Sequence, residues 1–126
     1  MNDTASADLL YVEAPHRQLL DEILDKWSLQ VLDRLCERPH RFNDLRREVP
    51  AIGQKSLTTT LRRLERNGMI TRVVIDTRPI AVEYRIAPPG TSLNRLIESL
   101  LSWTTEKLPE VEAARARYDA IEGAAS

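Results

Sequence analysis

The sequence predicts a mainly α-helical fold with a small β-hairpin wing: a winged helix-turn-helix followed by terminal helices suited to dimerisation. Three observations predict it. A basic amphipathic helix between Gly53 and Gly68 comes directly after a short amphipathic helix and a tight turn. Two runs rich in β-branched and aromatic residues follow it at once, which is the pattern of a hairpin. A long apolar stripe from Leu93 to Leu108 then exceeds what a small winged-helix core needs to cover it.

In chain order, residues 1–14 are polar with one apolar cluster, Leu9-Leu10-Tyr11-Val12, and are expected to form a loose arm. From Pro15 a short helix is expected, with Leu19, Leu20, Ile23 and Leu24 on its inner face. Asp25-Lys26 interrupts the apolar rhythm. A second helix is expected from Trp27 to Glu37, with Leu29, Val31, Leu32, Leu35 and Cys36 inward and Trp27 as an apolar anchor. Pro39 ends it, because the residue before a proline avoids helical geometry. Asn43 is the expected N-cap of the next short helix, which aligns Phe42, Leu45 and Val49 on one face. Pro50-Ala51-Ile52-Gly53 leaves room only for a turn. A short helix, a tight turn and a basic helix in succession make a helix-turn-helix.

On the basic helix, Leu57, Leu61 and Leu64 fall at i, i+4 and i+7 and make one apolar stripe. Lys55, Thr59, Arg62 and Arg66 lie opposite, with Thr58 and Arg63 flanking them and Glu65 at the edge. Asn67-Gly68 is a stop, since both residues tolerate the left-handed conformation. A face of cations and short hydroxyls suits a phosphate backbone, with the first turns at base edges; a plain solvated helix would show it too. Strands are expected over residues 70–75 and 81–86, joined by a loop, residues 76–80, with Arg78 near its tip. Pro88-Pro89-Gly90 is read as a separator. Leu93, Leu96, Ile97, Leu100, Trp103 and Leu108 then share a helical stripe. Pro109 is expected to kink the helix or start a new turn. Val111, Ala114, Tyr118 and Ile121 carry an apolar face onward.

The formal net charge is −1, yet it is unevenly spread. Residues 38–78 hold ten Lys/Arg against four Asp/Glu, while the rest holds eight against fifteen. That asymmetry points to one cationic face. No apolar run approaches the ~20 residues of a membrane span, and no signal peptide is evident, so a cytoplasmic protein is expected. One cysteine excludes an internal disulfide, and neither histidine has a second ligand at metal spacing. Asp21, Glu22 and Asp25 form a carboxylate cluster beside Lys26, read as solvated. Nucleophile motifs and phosphate loops are absent, so no catalytic, metal or cofactor residue is expected, and the chain is read as not an enzyme. Cys36, set on an inner face, is expected to be buried and inert.

Three stretches resemble one family. Lys26-Trp27-Ser28-Leu29-Gln30-Val31-Leu32-Asp33-Arg34-Leu35 looks like an opening motif. Arg41-Phe42-Asn43-Asp44-Leu45-Arg46-Arg47 with Ile52-Gly53-Gln54-Lys55-Ser56-Leu57-Thr58 looks like a helix-turn-helix core. Val82-Glu83-Tyr84 with Pro88 and Gly90 looks like a second wing strand and its exit. Together, over residues 17–105, they resemble the HxlR-type winged helix-turn-helix regulators, relatives of the MarR group. Two positions depart: Leu24-Asp25 stands where the family often has Gly-Gly, and Gly53 where it often has Ser.

The resemblance implies a dimeric DNA-binding transcription factor, often a repressor, whose partners are double-stranded operator DNA and a second copy. A small-molecule effector is part of that expectation, in a pocket between the wing base and the terminal helices. It implies a DNA-binding domain over residues 15–90 and dimerisation helices over residues 91–126. Carried over by position, Gln54, Lys55, Thr58, Thr59 and Arg62 come to the major groove or its edges. Arg66 and Arg78 come to phosphate or the minor groove. Arg41 either grips phosphate or pairs with Asp44 or Glu48. Trp103 is read as core or dimer interface. The alternative is a winged-helix module that binds protein rather than DNA, against which the basic segment counts.

Overall fold

The structure, a computed structural model, describes residues 13–125. The predicted arm and its Leu9–Val12 cluster therefore lie outside the described residues, except that Ala14 already opens the first helix. Among the described residues five helices and one hairpin follow one another: α1 (Ala14–Ile23), α2 (Lys26–Glu37), α3 (Phe42–Glu48), α4 (Gln54–Arg66), β1 (Ile70–Thr77), β2 (Ile80–Ile86) and α5 (Pro88–Ala125). One compact unit extends to Asn94 and a second begins at Arg95.

The core of the first unit is the set of stripes the sequence carries. Val31, Leu32 and Leu35 of α2, Leu45 of α3, Leu57, Leu61 and Leu64 of α4, and Ile70 of β1 are all buried. Val49 and Ile52 plug the turn between α3 and α4. In that turn the left-handed residue is Ala51, at φ 63°, while Gly53 keeps an extended backbone. Turn geometry therefore does not require the glycine.

Several expectations fail for physical reasons. Leu19, Leu20 and Leu24 are exposed and only Ile23 of α1 is buried, so the described residues cover this apolar face only in part. Cys36 is exposed, not buried. The buried face of α2 is Ser28, Val31, Leu32 and Leu35, and Cys36 lies about 100° round from Leu35. α3 starts one residue before Asn43, with Arg41 at the N-cap and its backbone N–H donating to the Asp44 carboxylate at 3.3 Å.

The hairpin is longer and its turn tighter than expected. Antiparallel pairing runs from Ile70↔Ile86 to Thr77↔Ile80, with an irregularity between Val74 and Asp76, which leaves only Arg78-Pro79 at the tip. Pro88-Pro89-Gly90 is the first turn of α5 rather than a separator, since proline fits a helix start, where its missing N–H costs nothing. α5 also continues through Pro109 as a single helix of 38 residues. Of its stripe only Ile97 is buried; Leu96, Leu100, Trp103 and Leu108 are exposed, as are Tyr118 and Ile121 further on.

A buried histidine, read from the sequence as isolated, joins the helices to the wing. His40 exchanges both backbone hydrogen bonds with Tyr84 of β2, at 3.0 and 2.7 Å. Its ring lies between the Arg38 carbonyl, 2.8 Å from Nδ1, and the Glu48 carboxylate, 3.0 Å from Nε2. Arg38 also pairs with Glu48, at 2.6 Å. The hydrogen bond with His40 holds the Glu48 carboxyl below the usual carboxylate range, and Arg38 adds to the effect against partial burial.

Two predictions follow from this packing. A Cβ on Gly90 would lie 2.2 Å from the Met69 carbonyl oxygen and 2.9 Å from Ile86 Cγ1. Helix propensity alone says Gly90→Ala should stabilise by about 1 kcal/mol. The clash reverses the sign, so urea denaturation should show a loss of about 1–3 kcal/mol; a gain would refute the packing. For Glu48, a depressed folded pKa means stability that is present above the unfolded pKa and lost as pH falls through the folded one, below about pH 4. Glu48→Gln should make stability fall less steeply between pH 7 and pH 3. An identical acid limb in both proteins would contradict this.

Candidate nucleic-acid interface

The candidate surface is the outer face of α4, and burial of the inner face fixes its orientation. Leu57, Thr60, Leu61 and Leu64 are buried, so Gln54, Lys55, Thr59 and Arg62 point to solvent, with Thr58 half-buried at the margin. At the start of the helix Gly53 supplies no side-chain cap, which leaves the first-turn N–H groups without a side-chain acceptor. At the end, Gly68 at φ 74° donates to the Glu65 carbonyl and Met69 to the Leu64 carbonyl, the paired bonds of a Schellman stop.

Gln54, Lys55, Thr58, Thr59 and Arg62 together line one shallow depression of about 490 Å³. Five of the eight sequence-predicted site residues are thus contiguous. Two donors of fixed charge, two hydroxyls and one amide can bind phosphate oxygens and base edges; they include no acid or nucleophile set for a reaction. Among the described residues no group of His, Cys, Asp and Glu could hold a metal ion, and no helix is long and apolar enough to cross a membrane.

Ion pairing sorts the remaining cations. Among the described residues the side-chain charges of Lys55, Arg62, Arg41 and Arg78 form no ion pair with a carboxylate; Arg41 and Arg78 reach Asp44 and Asp76 only through their backbone N–H groups. The two carboxylates considered for the Arg41 side chain pair with other groups: Asp44 with Arg47, and Glu48 with Arg38 and His40. Arg41 is exposed at the start of α3, and Arg78 is exposed at the tip of the hairpin. Arg66 is different. Its guanidinium faces Glu22 of α1 at 3.4 Å, and it lines a separate groove with Pro15, Gln18 and Leu19. Arg63 turns fully away and pairs with Asp25 at 2.8 Å.

Sequence reasoning missed this last contact. Asp25 is the N-cap of α2, accepting from Trp27 N and Ser28 N at 3.0 Å each and from Ser28 Oγ at 2.7 Å. Glu22 accepts from Asn67 Nδ2 at 3.3 Å as well as facing Arg66. Two members of the supposedly solvated carboxylate cluster therefore hold the C-terminal half of α4. The N-cap role of Asp25 was available as a signal: an acid two residues ahead of Trp27 at a helix start. Its partner 38 residues away was not.

The comparisons agree with this architecture. Residues 22–112 match the model of the HxlR-like helix-turn-helix family. The chain is 33% identical over 108 residues to the HTH-type transcriptional regulator YtfH of Escherichia coli (strain K12), itself uncharacterized, covering 86% of each. It is 36% identical over 110 residues to the likewise uncharacterized regulator YdeP of Bacillus subtilis, covering 85% of this chain and 86% of YdeP. Among solved structures, ytfH of Salmonella typhimurium, described as a transcriptional regulator, superposes with a TM-score of 0.70 at 34% identity, over 80% of this chain and 90% of that one. The redox regulator HypR in its reduced form gives 0.69 at 31% identity, over 79% and 99%. The two sequence relatives are described as HTH-type transcriptional regulators.

Proposed function

Because the chain belongs to the HxlR-like helix-turn-helix family of transcriptional regulators, we propose that it binds operator DNA sequence-specifically as a homodimer and represses by occupying that operator. Residues 54–67 enter the major groove, and the wing, residues 76–80, reaches the adjacent backbone or minor groove. The observation that carries this reading is the separation of cations: Lys55 and Arg62 are unpaired beside Gln54, Thr58 and Thr59, while Arg63 and Arg66 are engaged by Asp25 and Glu22. Unpaired cations release counterions from DNA without first breaking an ion pair. Arg41 and Arg78 extend the same set to either side.

The DNA-binding domain covers residues 15–90, and residues 91–126 are the dimerisation segment. The support is exposed apolar surface: Leu96, Leu100, Trp103, Leu108, Tyr118 and Ile121 of α5, and Leu19, Leu20 and Leu24 of α1. Surface of this kind is a liability on a monomer and is covered when two copies pair. A two-fold axis then sets two α4 helices about 34 Å apart, on successive major grooves.

Salt titrations on the gene's own upstream region and on a random duplex test the reading. Lys55→Ala, Arg62→Ala and Arg78→Ala should each weaken both duplexes and lower the salt slope by about one for every phosphate no longer neutralised in each half. Arg66→Ala should change the slope less, because Glu22 competes for it. Gln54→Ala or Thr58→Ala should relax discrimination by roughly 1–3 kcal/mol for each base interaction removed, with little change in slope. If Lys55→Ala, Arg62→Ala and Arg78→Ala all leave affinity and slope unchanged, the protein-binding alternative replaces this one. Light scattering should find a dimer at micromolar concentration; a stable monomer there would remove the two-fold arrangement.

A further inference from the structure

The His40 side chain is fully enclosed, and both of its ring nitrogens face acceptors. Nδ1 lies 2.8 Å from the Arg38 carbonyl oxygen, and Nε2 lies 3.0 Å from a Glu48 carboxylate oxygen. A carbonyl oxygen can only accept, and so can an ionised carboxylate. A neutral imidazole carries one N–H, so it satisfies one of the two and turns a lone pair on the other. Only the imidazolium, with two N–H groups, satisfies both. The charges around the ring come from four elements. Arg38, in the loop before His40, pairs with the same carboxylate at 2.6 Å and helps to keep Glu48 of α3 ionised. Arg34 of α2 lies within electrostatic reach of Glu48, but its guanidinium is held by Asp33 and Glu37, at 2.7 and 3.2 Å. Tyr84 of β2 meets His40 through its backbone, while its phenol feels Arg72, Glu65 and Arg62. Among the described residues Glu48 is the one carboxylate that pairs with the ring.

The backbone of the same residue is the link to the wing. His40 N–H donates to the Tyr84 carbonyl at 3.0 Å, and Tyr84 N–H donates to the His40 carbonyl at 2.7 Å, an antiparallel bridge onto β2. We propose that His40 is a pH-sensitive latch: its charged ring ties the hairpin to the end of α3, and loss of one ring proton releases that tie. Deprotonation leaves an enclosed lone pair pointing at an acceptor oxygen, a repulsive contact where a hydrogen bond had been. The latch needs the charged ring, so its contribution is present at acid pH and is lost as pH rises through the imidazole range, about pH 5–8. At the acid end the Glu48 carboxyl is protonated in turn, below about pH 4, and the contact loses its charge from the other side. The hairpin carries Arg78 at its tip, so DNA affinity falls when the latch opens. That last step rests on the DNA-binding reading; the latch does not.

The test uses the full chain carrying His16→Gln, which leaves His40 as the only histidine. NMR should find two ring N–H groups at about pH 6 and one at about pH 8.5. Over the same interval the Tyr84 amide, corrected for the intrinsic pH dependence of exchange, should become about tenfold less protected. Glu48→Gln, added to the same background, is the discriminating variant, since a carboxamide can donate to a bare Nε2 as well as accept from a protonated one. In it, Tyr84 protection should change less than about twofold across the interval. A ring that keeps the same number of protons from about pH 6 to about pH 8.5 overturns the proposal. So does Tyr84 protection that holds constant with Glu48 present, or that falls equally in Glu48→Gln, since the proton would then act elsewhere. In the second arm, at constant salt, the apparent Kd for the upstream duplex should rise at least about threefold across the interval with Glu48 present, and less than about twofold in Glu48→Gln. Equal changes in the two overturn the effect on DNA. A latch that opens in a protein that binds no DNA defeats the function proposed above and leaves the latch intact.

Discussion

The arrangement of the first unit depends on one carboxylate. Asp25 stops the chain between α1 and α2, caps α2 through two backbone N–H groups, takes the Ser28 hydroxyl, and receives Arg63 from α4. Four donors satisfy two oxygens, and Ser28 is fully buried beneath them. A capping side chain contributes about 1 kcal/mol by itself. Here the cap is also a tether, because a partly buried charge that loses its partner is costly to leave behind. Arg63 donates to Asp25 through Nη2, while its buried Nε makes no hydrogen bond among the described residues.

This tether bears on the rotation of α4 about its own axis. The buried leucine stripe sets which side of α4 faces inward, and the ion pair at 2.8 Å adds an interaction only Arg63's side of the helix can make. With Arg63 held inward and Arg66 drawn toward Glu22, the helix presents Gln54, Lys55, Thr58, Thr59 and Arg62 outward as one set. The wing is fixed from the other side. His40, buried at 1% exposure, bridges β2 through Tyr84 and anchors to Glu48 at the end of α3. Both fixings use polar groups paired across elements, and both bear on how α4 and the hairpin sit on the rest of the first unit.

Much of this was legible in the sequence, and the reasons are local. The 3.6-residue rhythm of Leu57, Leu61 and Leu64 gave the buried side of α4 and therefore its outer side. Asn67-Gly68 marked the stop, and β-branched residues marked the hairpin. What failed was whatever depended on a partner far along the chain or outside it. Cys36 is apolar enough to be assigned inward, but Ser28, capped by Asp25, holds that face instead. Leu96, Leu100 and Trp103 do form one stripe, yet none of the described residues covers them. Glu22 and Asp25 looked solvated because Asn67 and Arg63 stand more than 35 residues away. Arg66 falls with Arg62 by helical angle, and only the position of Glu22 separates them.

The claim that Asp25 positions α4 is tested most directly by a double-mutant cycle. Asp25→Ala, Arg63→Ala and the double variant would be unfolded in urea beside the wild type. Each single variant should destabilise, and the two losses should fail to add, with a coupling of about 1–3 kcal/mol. Losses that add to within about 0.5 kcal/mol would mean the two side chains do not act on one another, and that α4 is held by its leucine stripe alone.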